Sequence, residues 1–300
     1  MEKRIPGKKH FMIFFVIVIL LLGAAGIGII NFGEKEICSD GTEYDLCSAN
    51  PPYYCFEGKL IEYAPLCKCP FNWTVSGRVC KSDLMVEEKN ISFNYNLRGE
   101  EKSFDFVLFG GVYNYLEDLD KSVESVPGEI ISRRDFKLKA IDEEVQRNFL
   151  IPLVIKIQNS YEEPFDQVLA AVSVIQNFPY VFSEKKVDFH GTEANYSRYP
   201  YEVLYENAGI CSERVDLLAF ILREMGYGVI VFYFPERDHE AIGIRCPRSV
   251  SFDDTGYCFI ETTGSFPYDA IWNSDPATYG VSRNYQMVLI SEGKILRRID

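Results

Sequence analysis

Positive charge and histidine are what this chain has least of. Lysine and arginine number 31 against 44 aspartates and glutamates, for a formal net charge of −13. So acidic a surface repels phosphate backbones and argues against nucleic acid as a partner. Histidine occurs only three times, at His10, His190 and His239, so imidazole chemistry must use one of these. Internal repeats and low-complexity tracts are also missing, which leaves out solenoids and arrays. What the chain has instead is apolar residues: 47% are hydrophobic and 14% aromatic. That is enough for a sizeable core and unlike the composition of a disordered chain.

The apolar residues begin with a run. Phe11 to Ile30 holds no charged side chain, and twenty helical residues span about 30 Å, a bilayer's hydrocarbon thickness. Lys3, Arg4, Lys8 and Lys9 precede it, so the positive-inside tendency keeps residues 1–10 in the cytoplasm and sends the rest outward. The expectation is a single-pass membrane protein with a transmembrane helix at 11–31 and an extracellular C-terminal part. A cleaved signal peptide, cut near Gly23-Ala24-Ala25-Gly26, is the competing reading. Export follows from either.

Cysteine usage agrees. Cys38, Cys47, Cys55, Cys67, Cys69 and Cys80 crowd into residues 38–80, a stretch rich in turn formers and without a long apolar stripe. In an oxidising exterior these read as three disulfides of open connectivity. Zinc is the rival, but the segment has no histidine and Cys-x-Cys is too tight for a usual zinc knuckle. The module resembles short cysteine-rich units of archaeal surface proteins, a likeness that implies no activity. Sequons at Asn72, Asn90 and Asn195 are compatible with exposure.

Residues 81–90 read as a polar linker to a larger domain at 91–300. There Ile91–Asn96 and Phe104–Phe109 read as strands, with Gly110-Gly111 as a break. Residues 135–158 carry mixed helical signals interrupted by Pro152, and Phe165–Gln176 is a clearer helix behind Pro164. The acidic pairs Glu162-Glu163 and Asp253-Asp254 read as solvated loop charges, not metal ligands.

The chemistry concentrates further on. After Gly209, apolar residues at Cys211, Val215, Leu218, Leu222 and Met225 repeat with helical spacing, and Gly226 is a natural stop. Cys211 therefore sits in a first helical turn, where free amides and the dipole favour a thiolate. Three strands follow, at 227–234, from His239 to Cys246, and at 257–263. The second begins with His239 and the third carries Glu261. A cysteine nucleophile, an imidazole base and a carboxylate to orient it thus occur in the order that thiol acyl transfer needs. Cys246 and Cys258 flank the hairpin loop and read as a fourth disulfide, which leaves Cys211 as the free thiol.

The stretch Tyr199–Thr263 resembles the transglutaminase-like superfamily of papain-like thiol acyl-transfer enzymes, and is closest to an archaeal and bacterial membrane-attached branch. The likeness rests on Arg198-Tyr199-Pro200 through Leu204, Gly209-x-Cys211, Leu217-Leu218, Leu222, Gly226-Tyr227, His239 with Gly243, and Glu261-Thr262-Thr263. Ile210 and Ser212 stand where that branch often has acidic residues, and Glu261 where many members have aspartate. The resemblance implies an α+β fold, with a central helix on an antiparallel sheet, and Cys211, His239 and Glu261 as catalytic residues. It implies no cofactor and no metal, and a hydrolase or transferase acting on a peptide or protein substrate at the cell surface. The alternative is a surface binding module that keeps the fold without turnover.

One tension concerns register. If Cys246 and Cys258 stood directly opposite in a regular hairpin, Glu261 would lie four residues, roughly 13 Å, from His239. A direct His239–Glu261 pairing would separate the cysteines as far. The expectation is an irregularity, a bulge or a bend, between His239 and Cys246 or between Cys258 and Glu261, with Gly243 as the plausible place.

Overall fold

The computed structural model describes residues 36–123, 130–189, 192–264 and 284–297, and Ile37–Asp300 clusters as one compact unit. Its N-terminal part is a pair of small hairpins, β1 (Tyr53–Phe56) with β2 (Lys59–Glu62), and β3 (Thr74–Ser76) with β4 (Val79–Lys81). A single turn of helix, α1 (Ala64–Cys67), joins them. Three disulfides hold this part together, Cys38–Cys55, Cys47–Cys67 and Cys69–Cys80, with Cα separations of 5.8, 5.4 and 5.6 Å. These lie in the ordinary range for a disulfide. Asn72, Asn90 and Asn195 are all exposed.

The stapled part is fastened to the rest. The Asn159 side chain accepts from the Leu60 amide at 3.2 Å and donates to its carbonyl at 2.9 Å. Trp73 lies 4.8 Å from Phe149, and Tyr53, Cys55 and Leu60 belong to the main core. The stretch read as a linker instead runs into the ten-residue strand β5 (Glu88–Leu97), which pairs throughout with β6 (Glu100–Phe109). Gly110 and Gly111 do end that strand, but they open the helix α2 (Gly110–Glu117).

Three helices follow: α3 (Arg133–Ile141), α4 (Glu144–Ser160) and α5 (Pro164–Gln176). Pro152 lies inside α4. It costs one backbone hydrogen bond, offset by burial of Phe149, Leu150, Ile151, Leu153 and Val154 around it. Then come the hairpin β7 (Lys186–Phe189) and β8 (Thr192–Asn195), and the helices α6 (Pro200–Glu206) and α7 (Cys211–Glu224). The strands β9 (Val229–Phe234), β10 (His239–Arg245), β11 (Tyr257–Ile260) and β12 (Gln286–Ser291) complete the order. These last four form one antiparallel sheet in the order β11-β10-β9-β12.

The sheet's alternation sorts its side chains onto two faces. Val229, Val231, Ile242, Ile244 and Ile260 join the helices in the main core. Ile230, Phe232, Phe234, Ala241 and Phe259 form a second cluster on the other face, with Phe252 and Tyr285 against it. Helix α7 is buried all round: Val215, Leu217, Leu218, Ala219, Phe220, Ile221 and Leu222 are all core residues. That marks a central helix, wider in its burial than the single stripe expected. Gly226, with φ +87°, ends it in the left-handed region that favours glycine.

One expectation is corrected. The fold is α+β with antiparallel sheets and four disulfides, but no helix among the described residues is long and apolar enough to cross a membrane. The longest, α4, has 17 residues and carries Gln146, Arg147, Asn148, Lys156 and Gln158, a composition suited to packing in a globular core rather than lipid. The segment 11–31 lies outside the described residues, as do His10 and His190.

Candidate active site

The cysteine comes first. Tyr199 precedes Pro200 at the start of α6, and Asn207 ends that helix with φ +54°. The chain then turns through Gly209 into α7. Ile210 has no polar side chain with which to cap it, so Glu213 does the work from within. Its carboxylate accepts from the Ile210 amide at 3.0 Å and from the Arg198 amide at 2.9 Å, and pairs with the Arg198 guanidinium at 3.0 Å. Cys211 begins the helix as the free cysteine among the described residues. It is buried, with 8% exposure.

His239 opens β10 with its ring 6.3 Å from Phe234. Its Nε2–H donates to Glu261 Oε2 at 2.7 Å. Burial alone would lower the His239 pKa. Hydrogen bonds to Cys211 and Glu261, and the charges of both, outweigh it and push the value up to about 10. With Nε2 on Glu261, Nδ1 is the nitrogen left for the sulfur. Burial would raise the Glu261 carboxyl, but the His239 contact and the Thr263 hydrogen bonds hold it below its ordinary value. Those bonds come to Oε1 from the Thr262 amide, the Thr263 amide and the Thr263 hydroxyl, at 2.8, 2.9 and 2.7 Å. Gln176, at the end of α5, donates to the Glu261 carbonyl at 2.8 Å. All three residues singled out in the sequence therefore converge.

The register tension resolves without a bulge. The β10–β11 ladder is regular and pairs Gly243 with Phe259 and Ile244 with Cys258. This register lies midway between the two considered. His239–Glu261 and Cys246–Cys258 are each two residues off a direct pair, in opposite senses; His239, Glu261 and Cys246 lie beyond the ends of the ladder and Cys258 within it. Diagonal neighbours two residues apart are still within side-chain reach, and the cysteines bond across a Cα separation of 5.7 Å. Gly243 has a different reason for being glycine. A Cβ there would come within 2.5 Å of Ile230 Cγ1 and 2.7 Å of Phe232 Cε2, so the aromatic face leaves no room.

Three neighbours complete the site: Tyr180 ends the segment from Ile175-Gln176 that shares the family resemblance, whereas Lys137 and Arg214 were not singled out. Tyr180, 51% exposed, hydrogen-bonds to the Cys211 side chain and backbone. Burial, then the sulfur, raises its phenol above the ordinary value. Lys137 of α3 is buried between Asp216 of α7 at 2.9 Å and Glu240 of β10, and its ammonium reaches the Ser212 carbonyl at 3.4 Å. It ties together the two elements that carry Cys211 and His239. Arg214 lies three residues after the cysteine and is 2% exposed. No group of metal-ligating side chains occurs among the described residues. No protein family, curated protein or solved structure matches this chain.

Proposed function

We propose that the chain is a thiol-dependent acyl-transfer enzyme acting on amide bonds of peptides or proteins in an oxidising, extracellular setting. The observation that carries this reading is the free Cys211 at a helix start, hydrogen-bonded to a histidine that is itself held by a buried carboxylate. Four disulfides beside one thiol support the setting, because only a protected cysteine stays reduced there. The transglutaminase-like resemblance points the same way.

In this reading an imidazolium at His239 favours the thiolate of Cys211. The sulfur adds to the amide carbonyl carbon, forming a C–S bond. The oxyanion turns toward the Cys211 amide, a first-turn N–H that no helix carbonyl claims and that Tyr180 gives up as the substrate enters. The C–N bond then breaks as His239 passes its proton to the departing amine. Water, or a lysine-type amine, gives a proton to His239 and attacks the thioester, and the sulfur leaves. Glu261 keeps the imidazole oriented throughout. A cavity of about 440 Å³ beside Ser212, lined by Tyr199, Arg133 and Lys137 among others, offers room for a substrate side chain.

One observation favours a silent binding module: the thiol is buried and Tyr180 lies against it. The two readings separate on the oxidised chain. Iodoacetamide followed by peptide mapping is expected to label Cys211 alone, and a peptide-library screen is expected to yield cleaved or amine-coupled products. A labelled cysteine with no product across the library supports the silent module. Label at Cys246 or Cys258 instead of Cys211 overturns the assignment.

A further inference from the structure

Among the described residues, three cationic side chains are almost wholly buried, and two are matched by carboxylates. Lys137 has Asp216 and Glu240, and Arg198 has Glu206 and Glu213. Arg214 differs. Its Nε donates to the Gly209 carbonyl at 2.9 Å and its Nη1 to the Thr262 carbonyl at 3.0 Å, and no carboxylate lies within ion-pair distance among the described residues. An isolated buried charge costs several kcal/mol, so its counter-charge must come from somewhere near.

The surroundings supply one. Positions i and i+3 share a helix face about 5–6 Å apart, and helical side chains lean toward the N-terminus. Arg214 thus reaches back past Cys211 to Gly209 and sideways to the residue after Glu261. Its guanidinium carbon stands 5.6 Å from the Tyr180 ring centroid. The charged or titratable groups around it are Tyr180, Cys211, Glu261 and Glu213, the last already engaged by Arg198. A thiolate, an imidazolium and a carboxylate sum to one negative charge, and Arg214 brings the site to neutrality.

We infer that Arg214 is a positioning residue. Its buried guanidinium holds the Gly209 turn to the Thr262 strand end and favours the ionised form of Cys211. The inference rests on the thiol-enzyme reading above. It predicts that the site is assembled and charged before substrate arrives, with a cation that touches neither substrate nor sulfur.

The test is the pH profile of Cys211 alkylation by iodoacetamide, on the full chain with its disulfides intact. Wild type and variant are compared first at acidic pH, about 6. Arg214→Gln is expected to lose about tenfold in rate there, one pKa unit's worth, and to match wild type within about twofold at pH 9. A folded R214Q that follows the wild-type profile, or is slowed equally at every pH, overturns the inference and leaves the thiol-enzyme reading standing. A wild-type profile that titrates near the ordinary thiol value of about 8.5 overturns both. If R214Q does not fold, Arg214→Lys decides. It is expected to keep the low-pH reactivity and lose turnover, because it keeps the charge without the two-carbonyl fork. A folded R214K without low-pH reactivity overturns the inference.

Discussion

The hairpin of β10 and β11 is closed differently at its two ends. Toward the loop the closure is a covalent bond, Cys246–Cys258; at the open end it is the hydrogen bond between His239 and Glu261. Both join residues two positions off a direct pair, on opposite faces of the sheet. The geometry is similar and the chemistry is not. The disulfide cannot titrate and restrains the strands permanently, whereas the polar end changes charge with pH and is free to exchange protons with a neighbour. A small sheet has thus placed a covalent restraint at one end and a titratable pair at the other.

The largest effect should come from the reactive end. Cys211→Ala and His239→Ala are each expected to lower kcat/KM by on the order of 10³ or more, with both variants still folded and the melting temperature lowered only in His239→Ala. Retained turnover in His239→Ala would point to another base. At the other end, replacing Cys246 and Cys258 together with serine should cost about 2–4 kcal/mol of stability in denaturant titrations. Activity per folded molecule should persist. Lost activity in a folded double variant would show that the two ends are not separable.

A third measurement uses pH. The His239 pKa is raised from 6.5 to about 10 in the folded protein. The stability it contributes is therefore full below pH 6.5 and is lost as pH rises through about 10. The Glu261 shift runs the other way, and its contribution fades as pH falls below the ordinary carboxylate value. Denaturation of wild type and His239→Gln between pH 6 and 10.5 should show the gap between them narrowing at the alkaline end. A constant gap would count against the charged pair. The smallest effect belongs to Tyr180→Phe. Removing the hydroxyl beside the sulfur should raise the alkylation rate of Cys211 a few-fold, and a slower rate would make Tyr180 a helper rather than a cover.

Much of the architecture was legible from local pattern. The helical spacing after Gly209, the stop at Gly226, the strand read at 227–234 and found at Val229–Phe234, and the cysteine parity all depend on neighbours in sequence. Other features were not. Polar residues at 81–90 read as a linker because nothing local reveals that Glu88 and Lys89 begin one edge of a ten-residue hairpin. The hairpin register was not legible, because side chains in a pleated sheet reach diagonally as well as directly across. Lys137 and Arg214 carry no motif, and only burial and partners mark them out.

By itself, the sequence determined which residues could do chemistry. Three histidines, an odd cysteine and the order of helix and strands narrow the choice to Cys211, His239 and Glu261, because nucleophile, base and carboxylate are properties of residue type. Tertiary structure alone decided how they meet. The distance from His239 to Glu261 depends on inter-strand register. The charge around Cys211 depends on burial, which brings Arg214, Tyr180 and the Lys137 cluster from distant elements into a low-dielectric interior. In such an interior each charge is felt strongly and must be matched by another.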